Sequence, residues 1–301
     1  MKYTLRQLAY FVAASDNGSI SAAARAMNVS QPSISNAIIQ LEKQFDVALF
    51  LRRHSNGVRL TPTGEILLRE ARRVLAHADD FETLASSILN EVSGEIQVAC
   101  FVNVAPVYMA ALTRSFQDRY PLARVIMTIG NQQEVFDAIN SGSCELALTF
   151  DLELPKDYHS EVCVSLPPKL VIPMNHRFSG ATKVDLGDML TEPFIYLDLP
   201  YSKNYFFSLF ENVGLLPDKT IPVGSFETIR TFVGNSLGYS LLNLVPESEY
   251  NYDGTRVEHV ELEGSHRPLN LCCISLKRMV YRRTTMAFVE HAKEFFSRFQ
   301  V

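Results

Sequence analysis

"NVSQPSISNAIIQLEKQF", residues 28–45, sets a proline and a cluster of small polar residues at the front of an otherwise apolar-striped helix. At 100° per residue, with Ile34 at the centre of the buried face, Ile38, Leu41 and Phe45 share that face. Pro32, Asn36, Ile39, Gln40 and Lys43 point the other way. Pro32 falls in the first turn, where its missing N–H costs nothing, and Ser30 is placed to cap. Gln31 and Ser33 stand at the open N-terminal end, so that end can approach something closely. Upstream, Leu5, Leu8, Ala9, Phe11 and Val12 have helical spacing. "DNGS" (16–19) breaks that helix, and "SISAAARAM" (19–27) reads as a short second one begun by Ser19. Two short helices followed by such a third make a helix-turn-helix, whose second member enters the DNA major groove N-terminus first. Glutamine can bond base edges, while serines and helix-terminal amides suit phosphates.

Downstream, "ALFLRR" (48–53) and "VRL" (58–60) read as two short strands around "HSNG" (54–57), a hairpin that forms a wing. Arg52, Arg53 and Arg59 then lie beside the third helix, within reach of phosphates or the minor groove. Charge supports this. The chain of 301 residues carries −5 overall, yet residues 1–60 hold seven Lys/Arg against three acids, a net of +4. A basic head on an acidic body fits a nucleic-acid-contacting domain joined to one with another task.

The N-terminal sixty residues resemble the LysR-type transcriptional regulators. Leu5 to Phe11 matches the family's first helix, "GSISAAARAMNVSQPSISNAIIQLE" its helix-turn-helix, and "LFLRRHSNGVRLTPTGE" its wing and the start of its linker helix. The resemblance places Gln31, Pro32, Ser33, Ser35 and Asn36 where members contact DNA, and Arg52 and Arg53 where the wing does. Ser21 and Gln40 complete the candidate DNA-binding set. The match departs from the family at Asn36, where Arg or Gln is usual, at Ile39, often basic, and at Asp46, usually Gly. The thinner charge on the third helix bears on base preference and on non-specific binding.

From Thr61, a capping residue followed by Pro62, a long helix begins. Leu67, Ala71, Val74, Ala78, Phe81, Ala85 and Ile88 alternate steps of four and three, a coiled-coil seam expected to pair two copies of the chain. The expected domains are therefore a winged head (1–60), a dimerisation helix (61–90) and an effector-binding domain (91–301).

Residues 94–150 alternate strand and helix in the order βαβαβ, which implies a parallel sheet covered by helices. Residues 193–246 repeat the pattern, and "LNLCCISL" returns as a strand before a closing helix. Two lobes follow, lobe I from 94–164 and 267–301, lobe II from 165–266. The fold class is α/β with an N-terminal all-α winged helix-turn-helix, the second part being periplasmic-binding-protein-like, as the LysR resemblance also implies. Ligands in such folds bind at strand C-terminal ends, against helix N-termini. The candidates are Phe101, Val102, Asn103, Gln132, Phe150, Tyr196, Thr228 and Tyr239, with Tyr201 and Tyr205 from an aromatic-rich segment. By resemblance, Asn103 stands where members often have Ser or Thr that binds an effector's acid group. The expected effector is a small molecule, anionic or aromatic.

No P-loop, GxSxG, GxGxxG or HExxH motif is present, so catalysis is not expected. Neither a cofactor nor a metal is expected: the five cysteines have no zinc spacing and read as buried, reduced thiols. A thiol-switched regulator would want a cysteine pair in the second lobe, and 164–271 hold none. A plain solute-binding protein would leave the basic head without a role. No apolar run approaches a membrane span, and the N-terminus lacks a signal-peptide pattern, so the expected compartment is the cytoplasm. The expected partners are double-stranded DNA at an inverted-repeat operator, the effector, a second copy of the chain, and RNA polymerase. The family resemblance further implies a dimer of dimers.

Overall fold

The computed structural model describes residues 3–52, 57–86, 92–246, 248–277 and 281–298. Arg53 and Ile88 lie outside the described residues, as do the side chains of Arg52 and Ala85. The chain divides into two units, one built on Met1–Gly94 and the other on Glu95–Ile139 with Cys144–Val301.

The first unit holds α1 (Leu5–Asp16), α2 (Ile20–Ala26), α3 (Gln31–Phe45), β1 (Phe50–Arg52), β2 (Val58–Leu60) and α4 (Pro62–Ser86). Thr4 begins α1 with a capping box closed by Gln7, which satisfies two end groups at once. Ser19 caps α2 by accepting from the Ala22 amide. Asp46 ends α3 in the left-handed conformation at φ 53°, which an aspartate tolerates. The core of this unit collects Leu8, Phe11, Ala14, Ala23, Ile34, Ile38, Leu41 and Leu49, all under a tenth exposed. Phe45 corrects the expected α3 face: it is 40% exposed and meets only the rim, its ring 5.7 Å from that of Tyr3. The stripe runs past the core at the helix's last turn. β1 and β2 pair antiparallel, Phe50 opposite Leu60. The wing joins α4 closely at Gly64, where a Cβ would lie 2.2 Å from the Leu49 carbonyl oxygen.

The second unit begins with β3 (Gly94–Phe101), a short helical turn (Ala105–Met109), α5 (Ala110–Arg119), β4 (Ala123–Gly130), α6 (Gln132–Asn140), β5 (Leu146–Phe150) and β6 (Tyr158–Leu166). It continues with β7 (Lys169–Pro173), β8 (Lys183–Val184), β9 (Phe194–Leu197), α7 (Ser202–Glu211), β10 (Thr220–Val223), α8 (Phe226–Gly234) and β11 (Ser240–Leu242). β12 (Val257–Leu262), β13 (Leu269–Leu276) and α9 (Arg283–Ser297) complete it. A five-stranded sheet of order β4-β3-β5-β13-β6 carries lobe I. β3 and β5 are parallel, as the βαβ alternation implies, and the returning β13 runs antiparallel between β5 and β6, which makes the whole sheet mixed. Phe116 on α5 packs edge-on against Phe288 of α9 at 5.1 Å and anchors the two helices together.

Lobe II holds a second sheet of order β11-β7-β12-β8 and a parallel pair β9–β10. The sequence reading assigned no strands to β6, β7, β8 and β12. β12 carries two charged residues and a histidine in six, and only its pairing with β7 reveals which side is buried.

β12 also carries His259, whose Nε2 is buried without a partner. Burial, and then the nearby Arg230 and Lys169 charges, push it down to about 4. Above the ordinary value near 6.5 both folded and unfolded forms are neutral. Below it the unfolded chain takes the proton first, so stability falls as pH drops from 6.5 toward 4. The expected loss is about 2–3 kcal/mol, and His259→Leu should remove that part of the pH dependence in urea unfolding at pH 7 and pH 4.5.

Candidate DNA-reading surface and effector cavity

The N-terminal end of α3 is open. Gln31, Pro32, Ser33 and Asn36 are exposed and Ser35 is half-buried. Ser30 occupies the N-cap position but, against expectation, caps nothing: its hydroxyl meets that of Ser33 at 2.7 Å. Pro32 has no N–H and the Ser33 amide bonds the Ser30 carbonyl at 3.0 Å, so what this end offers an outside anion is the helix's positive terminus and the exposed polar side chains around it. Ser21 Oγ donates to Gln31 Oε1 at 3.1 Å, steadying the glutamine from α2. Gln40 accepts from Gln7 Nε2 at 2.7 Å, a bond that ties it to α1. Arg59 is exposed on β2, and Arg52 lies on β1 opposite Val58.

Along α4 the expected seam divides. Ala71 is buried in the head's own core, and Leu67 and Val74 pack against it, so its first half is used within the chain. The ridge of α4 that faces α1 had the same residues and spacing as a seam, which is why the sequence could not separate them. Ala78 is half-buried, and Phe81 is 74% exposed.

In the second unit, Phe101, Asn103 and Phe150 from lobe I meet Ser202, Tyr205, Phe226 and Asn243 from lobe II around a cavity. About 20 Å³ is open to the centres of water molecules, room for about one, so the lobes stand nearly closed. The walls are aromatic and aliphatic, Phe101 and Phe150 lying edge-on at 5.8 Å. Among the described residues no charged side chain lines it. Asn103 is 6% exposed. Ser225, the N-cap of α8, makes no side-chain cap bond, and the first residue of that helix, Phe226, faces the cavity. α8 is fixed behind it by Arg230, 3% exposed, which donates to the Ser248 carbonyl at 2.8 Å and pairs with Glu227 at 3.3 Å. Burial pushes the Tyr205 phenol up to about 12, so it stays protonated.

The other sequence candidates do not line this cavity. Gln132 is fully buried, donating to the Phe150 and Leu152 carbonyls and accepting from Thr149, a clamp on the end of β5. Tyr196 stacks with Phe194, and Tyr239 is wholly enclosed beside the same ring. Tyr201 begins α7 at φ 68° and donates to Gln133. Thr228 is half-buried, two residues along α8 from the wall. Val102 lines a separate open groove with Met127 and Ile129. Each sits at or near a strand or helix end, as the sequence rule required, but its side chain packs away from this cavity. The rule missed Asn243, Ser202 and Phe226. A polar residue directly after the apolar "SLL" of β11 was the signal for Asn243.

All five cysteines are buried. Cys163 and Cys273, 110 residues apart in the chain, meet across β6 and β13 with sulfurs 3.7 Å apart. Among the described residues no cluster could hold a metal ion, and no helix is long and apolar enough to cross a membrane.

A winged helix-turn-helix followed by a two-lobed α/β domain around a cavity defines a DNA-binding regulator that answers to a small molecule. Comparison with known proteins agrees. Residues 5–65 match the bacterial regulatory helix-turn-helix protein, lysR family, and residues 89–297 match the LysR substrate binding domain. The chain belongs to the LysR family of transcriptional regulators. It is 36% identical to HinK, a LysR family transcriptional regulator from Pseudomonas aeruginosa, over 99% of both chains, with a TM-score of 0.67. The uncharacterized HTH-type transcriptional regulator YvbU of Bacillus subtilis (strain 168) is 28% identical over 97% of this chain and 99% of its own. The structure of CbnR complexed with its target DNA shares the fold at 23% identity and a TM-score of 0.57, covering 97% of this chain and 99% of that one.

Proposed function

We propose that the chain represses or activates transcription by reading an inverted-repeat operator with paired α3 helices, under the control of an effector held at Phe101, Asn103, Phe150 and the facing wall of lobe II. The observation that carries the DNA half is the open end of α3, where Gln31, Ser33 and Asn36 are exposed and no side chain caps the helix. Gln31 is the base reader, Ser33 and Ser35 the phosphate contacts of the helix end, and Arg52, Arg53 and Arg59 the wing's phosphate contacts. Two copies join through the outer half of α4, a two-fold arrangement that mirrors a palindromic site. A dimer of dimers and contact with RNA polymerase extend the same reading.

Gln31→Ala is expected to relax base preference at one position of each half-site, costing about 1–3 kcal/mol on the cognate operator and little on random duplex. Arg59→Ala should weaken both alike and flatten the salt slope by about one unit. Fluorescence anisotropy on cognate and scrambled duplexes at several salt concentrations separates the two roles. Equal losses on every sequence for Gln31→Ala would remove it from base recognition.

A further inference from the structure

Asn243 directly follows β11 and has 5% of its surface exposed. Its Nδ2 donates to the Leu166 carbonyl at 2.9 Å and to the Tyr205 hydroxyl at 2.8 Å. The Tyr205 hydroxyl in turn donates to the Arg267 carbonyl at 2.8 Å. Because that hydroxyl has spent its only proton, it can take a bond from Asn243 but not give one. The amide is thereby held in one orientation, and a flipped amide would set oxygen against the Leu166 carbonyl. What remains is Oδ1, a buried acceptor with no partner, on a residue that lines the cavity. Buried acceptors are nearly always paired in folded proteins, and an unpaired one marks a place where something else completes the bond.

The rest of the wall narrows what that is. The same cavity presents Asn103, 6% exposed, and the uncapped end of α8. These suit an acceptor or a single negative charge. No lysine or arginine lines the cavity to neutralise more, and a second buried charge would go unpaired. Between the two polar ends lie the Phe101, Phe150, Phe206 and Phe226 rings, which favour a flat apolar body.

On the reading that the effector binds in this cavity, we propose that Asn243 is its specificity residue. The effector is a small ring compound that enters as the lobes part, since the cavity as it stands admits about one water; it carries at most one negative charge and a hydroxyl, amino or ring N–H donor that closes onto Asn243 Oδ1. Removing the donor from such a ligand strands Oδ1 again, whereas removing an apolar substituent does not, so the donor sets selectivity.

The test is calorimetric titration of the full-length protein with benzoate, 3- and 4-hydroxybenzoate, 3- and 4-aminobenzoate, 4-methoxybenzoate and the dianion phthalate. At least one donor-bearing probe is expected to bind ten-fold or more tighter than benzoate and 4-methoxybenzoate, with phthalate weakest. In Asn243→Leu that advantage should fall to within two-fold. Benzoate or 4-methoxybenzoate binding as tightly as every donor-bearing probe overturns the assignment on the wild-type protein alone, whether or not the variant folds. If none of the probes binds while the operator is still bound, the ligand class is overturned and the regulator reading stands. If ligands bind selectively but Phe226→Ala leaves them unaffected, the cavity itself is the wrong site.

Discussion

Phe81→Asp is expected to convert a dimeric fragment of residues 1–90 into a monomer. The fragment has a closed core of its own in Leu8, Phe11, Ile34 and Leu41, so it folds without the rest of the chain. Phe81 lies on α4 with 74% of its surface in solvent, while Leu67, Ala71 and Val74 are already spent on the head. The part of the expected seam left for a partner therefore begins at Ala78 and Phe81. Burying one phenylalanine removes about 1.5–3 kcal/mol of hydration cost per chain, and a two-fold contact counts it twice. An aspartate there would lose that gain and seat two like charges at the seam, a penalty of several kcal/mol unless the helices part. Light scattering at tens of micromolar reads the mass directly. A wild-type fragment that is already monomeric would mean that α4 does not pair the heads.

Glu145→Ala is expected to lower the stability of residues 91–301 by about 3 kcal/mol, read as a fall in the urea midpoint with the slope unchanged. Glu145 stands just before β5 and receives Arg282 through two guanidinium nitrogens and Thr285 through its hydroxyl at 2.7 Å. The carboxylate and guanidinium are only 13% and 15% exposed. This clamp holds the start of α9 against the starts of β3 and β5. Without the carboxylate the guanidinium stays enclosed but lacks its counter-charge, which costs more than the pair itself contributes. Glu145→Gln should recover part of the loss, because it still accepts from Thr285. DNA binding by the head should be unchanged, since the clamp lies wholly within the second unit. A midpoint that does not move would show that Arg282 finds equal solvation elsewhere.

The DNA-binding head was legible because each of its signals is local. The caps at Ser19 and Thr61, Pro32 in the first turn, the stripe of Ile34, Ile38 and Leu41, and the pairing of β1 with β2 each act within a few residues. The βα alternation of 94–150 was legible for the same reason. β7 and β12 were not. A short apolar run followed by a tight turn, and a charged six-residue segment, carry little intrinsic strand preference until a neighbour pairs with them.

Sequence alone thus determined the winged helix-turn-helix, its polar reading end, the long α4 and the two-lobed α/β character of the rest. Tertiary structure alone decided that Leu67, Ala71 and Val74 serve the head, that β13 returns antiparallel, and that Asn243 meets Tyr205 and Asn103 at one cavity. The division has a physical cause. Helix periodicity and capping depend on neighbours three or four positions apart, which the chain supplies wherever it folds. Arg282 is 137 residues from Glu145, and Asn243 is 38 from Tyr205. Which faces of the backbone meet over such separations is set by packing, and no local pattern encodes it.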